Sequence, residues 1–150
     1  MTPDAQARLD AFLGAVPYVR FLGVEATLSG DELTARLPFK QELIGNTMLP
    51  ALHGGALGAF MEMTALAQLA LDQPRGSVPK VIDISIEYLR PGRAQHTFAR
   101  ADVRKAGRRI ANVHVEAWQD ARDKPIAFLR GHFLLASDSP LSRDSEGFGA

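Results

Sequence analysis

The chain has 150 residues, 46% of them hydrophobic and 23% charged, with 17 basic and 17 acidic side chains in balance. That length suits one domain with one sizeable core, and the balance provides no basic field for nucleic acid or an anionic membrane. The lack of cysteine excludes disulfides, thiolate metal sites and a cysteine nucleophile.

Asp4, Arg8 and Asp10 stand where an export signal would be apolar, so the cytoplasm is the expected compartment. Residues 3–15 place Leu9, Phe12 and Leu13 at helical spacing, followed by Val16, and predict a short amphipathic helix that Pro17 ends. From Phe21 to Leu28 the alternation of Leu22, Val24, Ala26 and Leu28 predicts a strand. Ser29-Gly30-Asp31 turns it into a second strand through Leu33, Ala35 and Leu37. Residues 39–52 read as a loop broken by Gly45-Asn46 and Pro50.

From Ala51 to Leu71 nearly every residue is apolar, and Glu62 is the one formal charge. A helix from about His53 to Asp72, apolar around most of its circumference, is a buried helix. Its length would cross a bilayer, but the glycine pair, His53, Glu62 and Gln68 argue for the centre of a soluble domain. After it, Ile82, Ile84, Ile86 and Tyr88 alternate with polar residues. Three further strands follow over 95–105, 109–118 and 125–136, joined by turns at 105–108 and 120–123. Such short connections imply antiparallel neighbours. Residues 137–150, rich in Ser, Asp and Gly, predict a loose tail.

The expected architecture is α+β: a curved antiparallel sheet wrapped around the central buried helix, within a single domain over 1–150 with its core at about 16–136. Sheet edges left open by so small a sheet suggest pairing with another subunit.

His53-Gly54-Gly55 leading into an apolar helix that carries Glu62 resembles the hotdog-fold acyl-CoA thioesterases. The resemblance is to the phenylacetate-degradation type and the related 4-hydroxybenzoyl-CoA thioesterases. The stretch Ile84 to Pro91, the turn Gly107-Arg108-Arg109 and the closing strand Ala127 to Leu135 carry it further, over roughly Val16 to Ala136. It implies a hotdog-fold homodimer or homotetramer that hydrolyses acyl- or aryl-CoA thioesters without a metal or redox cofactor. Glu62 would be general base or nucleophile, and the Gly55 N–H would polarise the thioester carbonyl. An Asn or Gln six residues before the His helps position the reacting groups in that family. Here Thr47 holds that position and Asn46 precedes it, so Asn46 is the candidate. The position seven before Tyr88, Ser or Thr in several relatives, is Val81.

The residues support this chemistry on their own terms. Free N–H groups at a helix start stabilise a developing oxyanion, and glycine at Gly54 and Gly55 admits a close-approaching carbonyl. An apolar setting raises the pKa of Glu62, which suits a general base. Nine helical residues rise about 13–14 Å and turn about 900°, so His53 and Glu62 should face opposite ways. A site using both would then draw on two subunits. Arg90, Lys105, Gly107, Arg108 and Arg109, with Arg93 and Arg104 nearby, would meet the phosphates of coenzyme A, or else form a solvated turn that protects a sheet edge. His53 could be catalytic or only cap the helix, and Glu62 could be a structural acid paired with Arg or Tyr. His96, His114 and His132 lack metal-ligand spacing. The alternative function is a non-catalytic hotdog module that binds acyl-CoA or another acyl ligand; a hotdog hydratase is a weaker third.

Overall fold

The computed structural model describes residues 3–73 and 78–135; the expected tail at 137–150 lies outside them. The chain opens with helix α1 (Pro3–Ala15) and a second helix, α2 (Pro17–Leu22). Strands β1 (Glu25–Ser29) and β2 (Glu32–Leu37) follow. A 3₁₀ turn over Gln41–Leu43 then leads to short strands β3 (Ile44–Asn46) and β4 (Ala51–Leu52). The long helix α3 (Gly54–Asp72) comes next, then β5 (Lys80–Tyr88), β6 (Thr97–Ala106), β7 (Ile110–Trp118) and β8 (Ala127–Leu134).

Two local expectations change. The strand expected from Phe21 begins only at Glu25, because Pro17 starts a helical turn and Gly23 ends it in the left-handed region at φ 79°. That conformation suits glycine, and the Gly23 N–H closes the turn on the Val19 carbonyl at 2.9 Å. The expected loop over 39–52 holds the small β3–β4 hairpin, paired at Ile44 with Leu52 and at Asn46 with Ala51.

Six strands form one antiparallel sheet in the order β1-β2-β6-β7-β8-β5. Helix α3 packs against β2, β5, β6, β7 and β8, the arrangement expected of a hotdog fold. The sheet's inner face is lined with small residues: Ala35, Ala99, Ala111, Ala117 and Ala127 are all buried. Against them α3 buries Phe60 and Met61, both at 0% exposure, so the apolar run is a core helix. At the other end of α3, Arg8 on α1 donates to the carbonyls of Ala70 and Gln73, both at 3.4 Å. A cation there complements the negative end of the helix dipole.

The two sheet edges are treated differently. Along β1, the Gln6 carboxamide donates to the Ala26 carbonyl at 3.0 Å and accepts from the Leu28 N–H at 3.3 Å. Those bonds occupy backbone groups that an edge strand would otherwise present. Among the described residues no side chain does this for β5. Ile82, expected to share the buried face with Ile84 and Ile86, is 50% exposed, because a register shift between Val81 and Asp83 bulges the strand there.

The pairing of β5 with β8 depends on Gly131. A methyl group at that position would lie 2.9 Å from the Phe133 ring, 3.0 Å from Ile84 and 3.1 Å from the Asp83 carbonyl. Gly131→Ala is therefore expected to cost about 1–3 kcal/mol in urea unfolding, the range for overpacking a filled core.

Candidate active site

The start of α3 is held from several sides. The His53 N–H donates to the Leu43 carbonyl at 2.7 Å, and the Leu52 N–H to the Gly92 carbonyl at 2.8 Å. His53 is extended, at φ −63° and ψ 128°, so the helix begins at Gly54 with His53 as its N-cap. Its imidazole folds back, and Nδ1 accepts from the Gly55 N–H at 2.9 Å. Imidazole thus takes the place of the usual hydroxyl or carboxylate cap. On the other side, the Tyr88 hydroxyl donates to the Gly54 carbonyl at 2.6 Å.

Glycine at three positions makes this packing possible. A Cβ on Gly45 would come within 2.7 Å of His53 Cα. On Gly54 it would reach the Tyr88 ring at 3.3 Å, and on Gly58 the Ile86 side chain at 2.8 Å. The row 54–58 therefore runs along β5, and the i+4 spacing carries it on to Glu62.

Glu62 is partly buried on α3, and burial pushes its carboxyl above the ordinary value. No ion pair or side-chain hydrogen bond holds it among the described residues, so the expected alternative of an acid paired with Arg or Tyr is not what the structure has. The expected opposed facing of His53 and Glu62 counted His53 as helical, whereas His53 is the N-cap and precedes the first helical residue. Gly55 stands seven positions before Glu62. Seven residues are almost two whole turns, so Gly55 and Glu62 share a face and stand about 10 Å apart along the axis.

The other candidates divide by location. The Asn46 carboxamide oxygen accepts from the N–H groups of Met48 at 2.9 Å and Leu49 at 3.3 Å, shaping the β3–β4 turn. Arg90 follows Tyr88 and lies at the Gly55 end of the sheet, where its N–H meets the Ile126 carbonyl. Lys105, Gly107, Arg108 and Arg109 lie at the opposite end, since Ile110 pairs with Leu134 and Leu134 with Lys80. The nine residues from Lys80 to Tyr88 span about 26 Å, so one chain does not bring Arg90 and the basic turn together. The histidines on or beside the strands have local partners. His96 accepts from the Phe39 N–H, His132 faces Asp83 at 2.9 Å, and His114 meets the Phe128 ring edge-on. No three metal-ligating side chains gather among the described residues.

Two wall residues were not legible in the sequence reading. Tyr18 and Phe21 of α2 stack at 5.9 Å between ring centres and are half exposed. With Leu22, Ile44, His53 and Gly55 they line a cleft of about 330 Å³ beside the helix start. The bracket of Pro17 and Gly23 was the available signal for α2. A larger hollow of about 570 Å³ lies elsewhere, between the β1–β2 turn, the end of α3 and the outer face of β6 and β7. It contains none of the candidate catalytic residues, and its three arginines are paired, Arg100 with Glu32, Arg104 with Asp102 and Arg122 with Glu116, while Asp31 and Asp72 also line it.

The site combines a helix N-terminus, an acid on the same helix and a cleft walled by Tyr18 and Phe21, with Glu42 also at its lining. Comparison with known proteins gives it a family. The thioesterase superfamily model matches residues 49–126, just over half of the chain, and spans α3 whole. The chain belongs to the thioesterase superfamily. This thioesterase is 28% identical over 122 residues to the medium/long-chain acyl-CoA thioesterase YigI of Escherichia coli, covering 71% of this chain and 78% of that one. A crystal structure of a protein from Chromobacterium violaceum is 41% identical, with 91% and 94% of the two chains covered and a TM-score of 0.73. A Bacillus halodurans protein solved with CoA shares the fold at 18% identity, with a TM-score of 0.74 and 91% and 93% covered. The thioesterase is thus a thioester hydrolase of hotdog fold.

Gly45 is the most direct handle on the helix cap. Gly45→Ala is expected to push His53 away and to cost the equivalent of a lost cap, about 0.5–2 kcal/mol. Urea unfolding measures the loss, and thioester hydrolysis should fall with it.

Proposed function

We propose that the thioesterase hydrolyses acyl- or aryl-CoA thioesters at sites shared between two copies of the chain, without a metal or redox cofactor. Glu62 is the base or nucleophile, and the Gly55 N–H polarises the thioester carbonyl. The observation that carries this reading is a desolvated carboxylate, without an ion pair or side-chain hydrogen bond among the described residues, on the same helix face as a first-turn N–H capped by the exposed His53 imidazole.

The distance between them supports the sharing. A carbonyl bound at Gly55 cannot reach Glu62 about 10 Å further along the same helix, so the acid comes from a second copy. Strand β5, open along one edge, supplies the place for that copy. Antiparallel self-pairing there sets the Tyr88 end of one strand toward the Lys80 end of the other. The same pairing brings Arg90 of one copy toward the 105–109 turn of the partner subunit, joining basic groups that a single chain keeps apart. Such groups suit the phosphates of coenzyme A. The acyl group enters the cleft lined by Tyr18 and Phe21, whose apolar walls adjoin Gly55. Asn46 holds the neighbouring turn in place.

The chemistry then follows from the groups present. His53 Nδ1 marks an acceptor position 2.9 Å from the Gly55 nitrogen. The substrate carbonyl takes that position when the imidazole rotates aside. In one course, Glu62 removes a proton from water as its oxygen bonds to the carbonyl carbon, and the tetrahedral oxyanion rests on Gly55. The C–S bond breaks, and the proton passes from Glu62 to the departing sulfur, giving a free acid and a thiol. In the other, the Glu62 carboxylate itself attacks and expels the thiolate, and water hydrolyses the resulting anhydride. Either course needs Glu62 ionised.

Thiol release from short, medium, long and aryl acyl-CoAs tests the function. Glu62→Gln is expected to lose about 10²–10⁴-fold in kcat, the range for a general base. In the wild type, activity should fall as pH drops through the Glu62 pKa, so the acidic limb lies above the ordinary value of 4.5. The sign for stability is opposite. A carboxyl whose folded pKa exceeds its unfolded one costs stability as pH rises through that window. Glu62→Gln should therefore be at least as stable as the wild type at pH 7 in thermal unfolding. Unchanged turnover in Glu62→Gln would overturn the mechanism.

Sharing has its own test. Gly55→Pro removes the donor N–H in the first helical turn, where proline is tolerated. Gly55→Pro and Glu62→Gln, each inactive, are mixed after unfolding and refolding together. Random pairing should restore about a quarter of wild-type activity, since half the dimers then carry one intact site. No recovery in hybrids confirmed by mass would place the whole site within one chain.

A further inference from the structure

We infer that Tyr88 is a positioning residue that acts on the reaction through the Gly54–Gly55 peptide. The inference rests on the proposed role of the Gly55 N–H and extends it to a residue at the end of a different element.

The Tyr88 hydroxyl donates to the Gly54 carbonyl at 2.6 Å, across 34 residues of sequence. That carbonyl and the Gly55 N–H belong to one planar peptide unit. A carbonyl oxygen has two lone pairs, so Gly54 can accept from Tyr88 while still accepting its helical bond. Donation to the carbonyl draws electron density from the amide nitrogen and makes its N–H a stronger donor. Hydrogen bonds in such chains strengthen one another by roughly 10–30% each. The bond also fixes the plane of the peptide, in a first turn that is otherwise prone to fray. A pinned N–H needs no reorganisation as charge builds on the substrate oxygen.

The packing around the bond is specific to it. Gly54 and Gly58 bring α3 so near the strand that a Cβ on Gly54 would sit 3.3 Å from the Tyr88 hydroxyl oxygen, and one on Gly58 3.4 Å from it. Tyr88 is 53% exposed and closes no core, so contact with the helix start is its main interaction within the chain. Both faces of the peptide are thus held by side chains, the carbonyl by Tyr88 and the N–H by His53. Of these, the bond to Tyr88 leaves the N–H available to substrate.

Tyr88→Phe keeps the ring and removes the donor. Expected is a fall in kcat of about 3- to 30-fold, a fraction of the 10²–10³ that follows loss of an entire oxyanion donor, with KM changed by less than about twofold. A structural role alone would instead show as a lowered melting temperature. The decisive readout is the infrared carbonyl stretch of a thioester ¹³C-labelled at that carbonyl and bound to Glu62→Gln, recorded before its slowed turnover consumes it. A band lowered on binding, and moved back toward its solution position when Tyr88→Phe is added, supports the inference. A lowered band that Tyr88→Phe leaves in place, or an unchanged kcat, overturns the role of Tyr88 and leaves that of Gly55 standing. A band that binding does not lower, or full activity in Gly55→Pro, overturns the Gly55 reading and the inference with it.

Discussion

The close approach of α3 to the sheet is the constraint on which the rest of the structure depends. An apolar helix can be buried on most of its circumference only if its surroundings leave room for it, and here alanines recur across the inner face of the sheet on β2, β6, β7 and β8. Phe60 and Met61 fill the space that those small residues leave. Gly54 and Gly58 continue the same economy of volume at the helix start, where a Cβ would crowd Tyr88 at 3.3 Å or Ile86 at 2.8 Å. Two functional properties follow from packing alone. The first turn of α3 is fixed against β5, and Glu62, on the row that those glycines begin, is drawn far enough from solvent to resist ionisation.

Burying a carboxylate without a partner works against folding, and the chain tolerates it at one position on its most buried element. Asp72 near the far end of α3 shows the contrast. Burial raises its pKa too, but the Gln68 side chain donates to it and partly offsets the effect, while Asp31 adds to it. Glu62 has no such relief among the described residues. Local destabilisation of this kind is typical of groups kept for their chemistry.

How much of this was legible in the sequence depended on the length of each element. The apolar run from Ala51 to Leu71 and the alternation along β7 and β8 repeat often enough to declare their period. Helix α2 has only six residues, and Leu22 fell by chance into an alternating series with Val24, Ala26 and Leu28. The strands β3 and β4, of three and two residues, carry no period at all. At the site, the motif residues themselves stood out, but their partners did not. Whether Glu62 is paired, that His53 turns back onto Gly55, and that Tyr88 reaches Gly54 all depend on tertiary contacts. A bulge at Ile82 likewise breaks a pattern that the residue types alone would continue.

The Gln6 side chain occupies two outer backbone groups of β1 and so guards that edge of the sheet. A sheet with two open edges can add copies at both ends without limit, which is the geometry of a fibre. With the Ala26 carbonyl and the Leu28 N–H taken, a strand added at β1 would find fewer free partners there. A carboxamide on a helix thus does for this edge what charges, proline or bulges do for others.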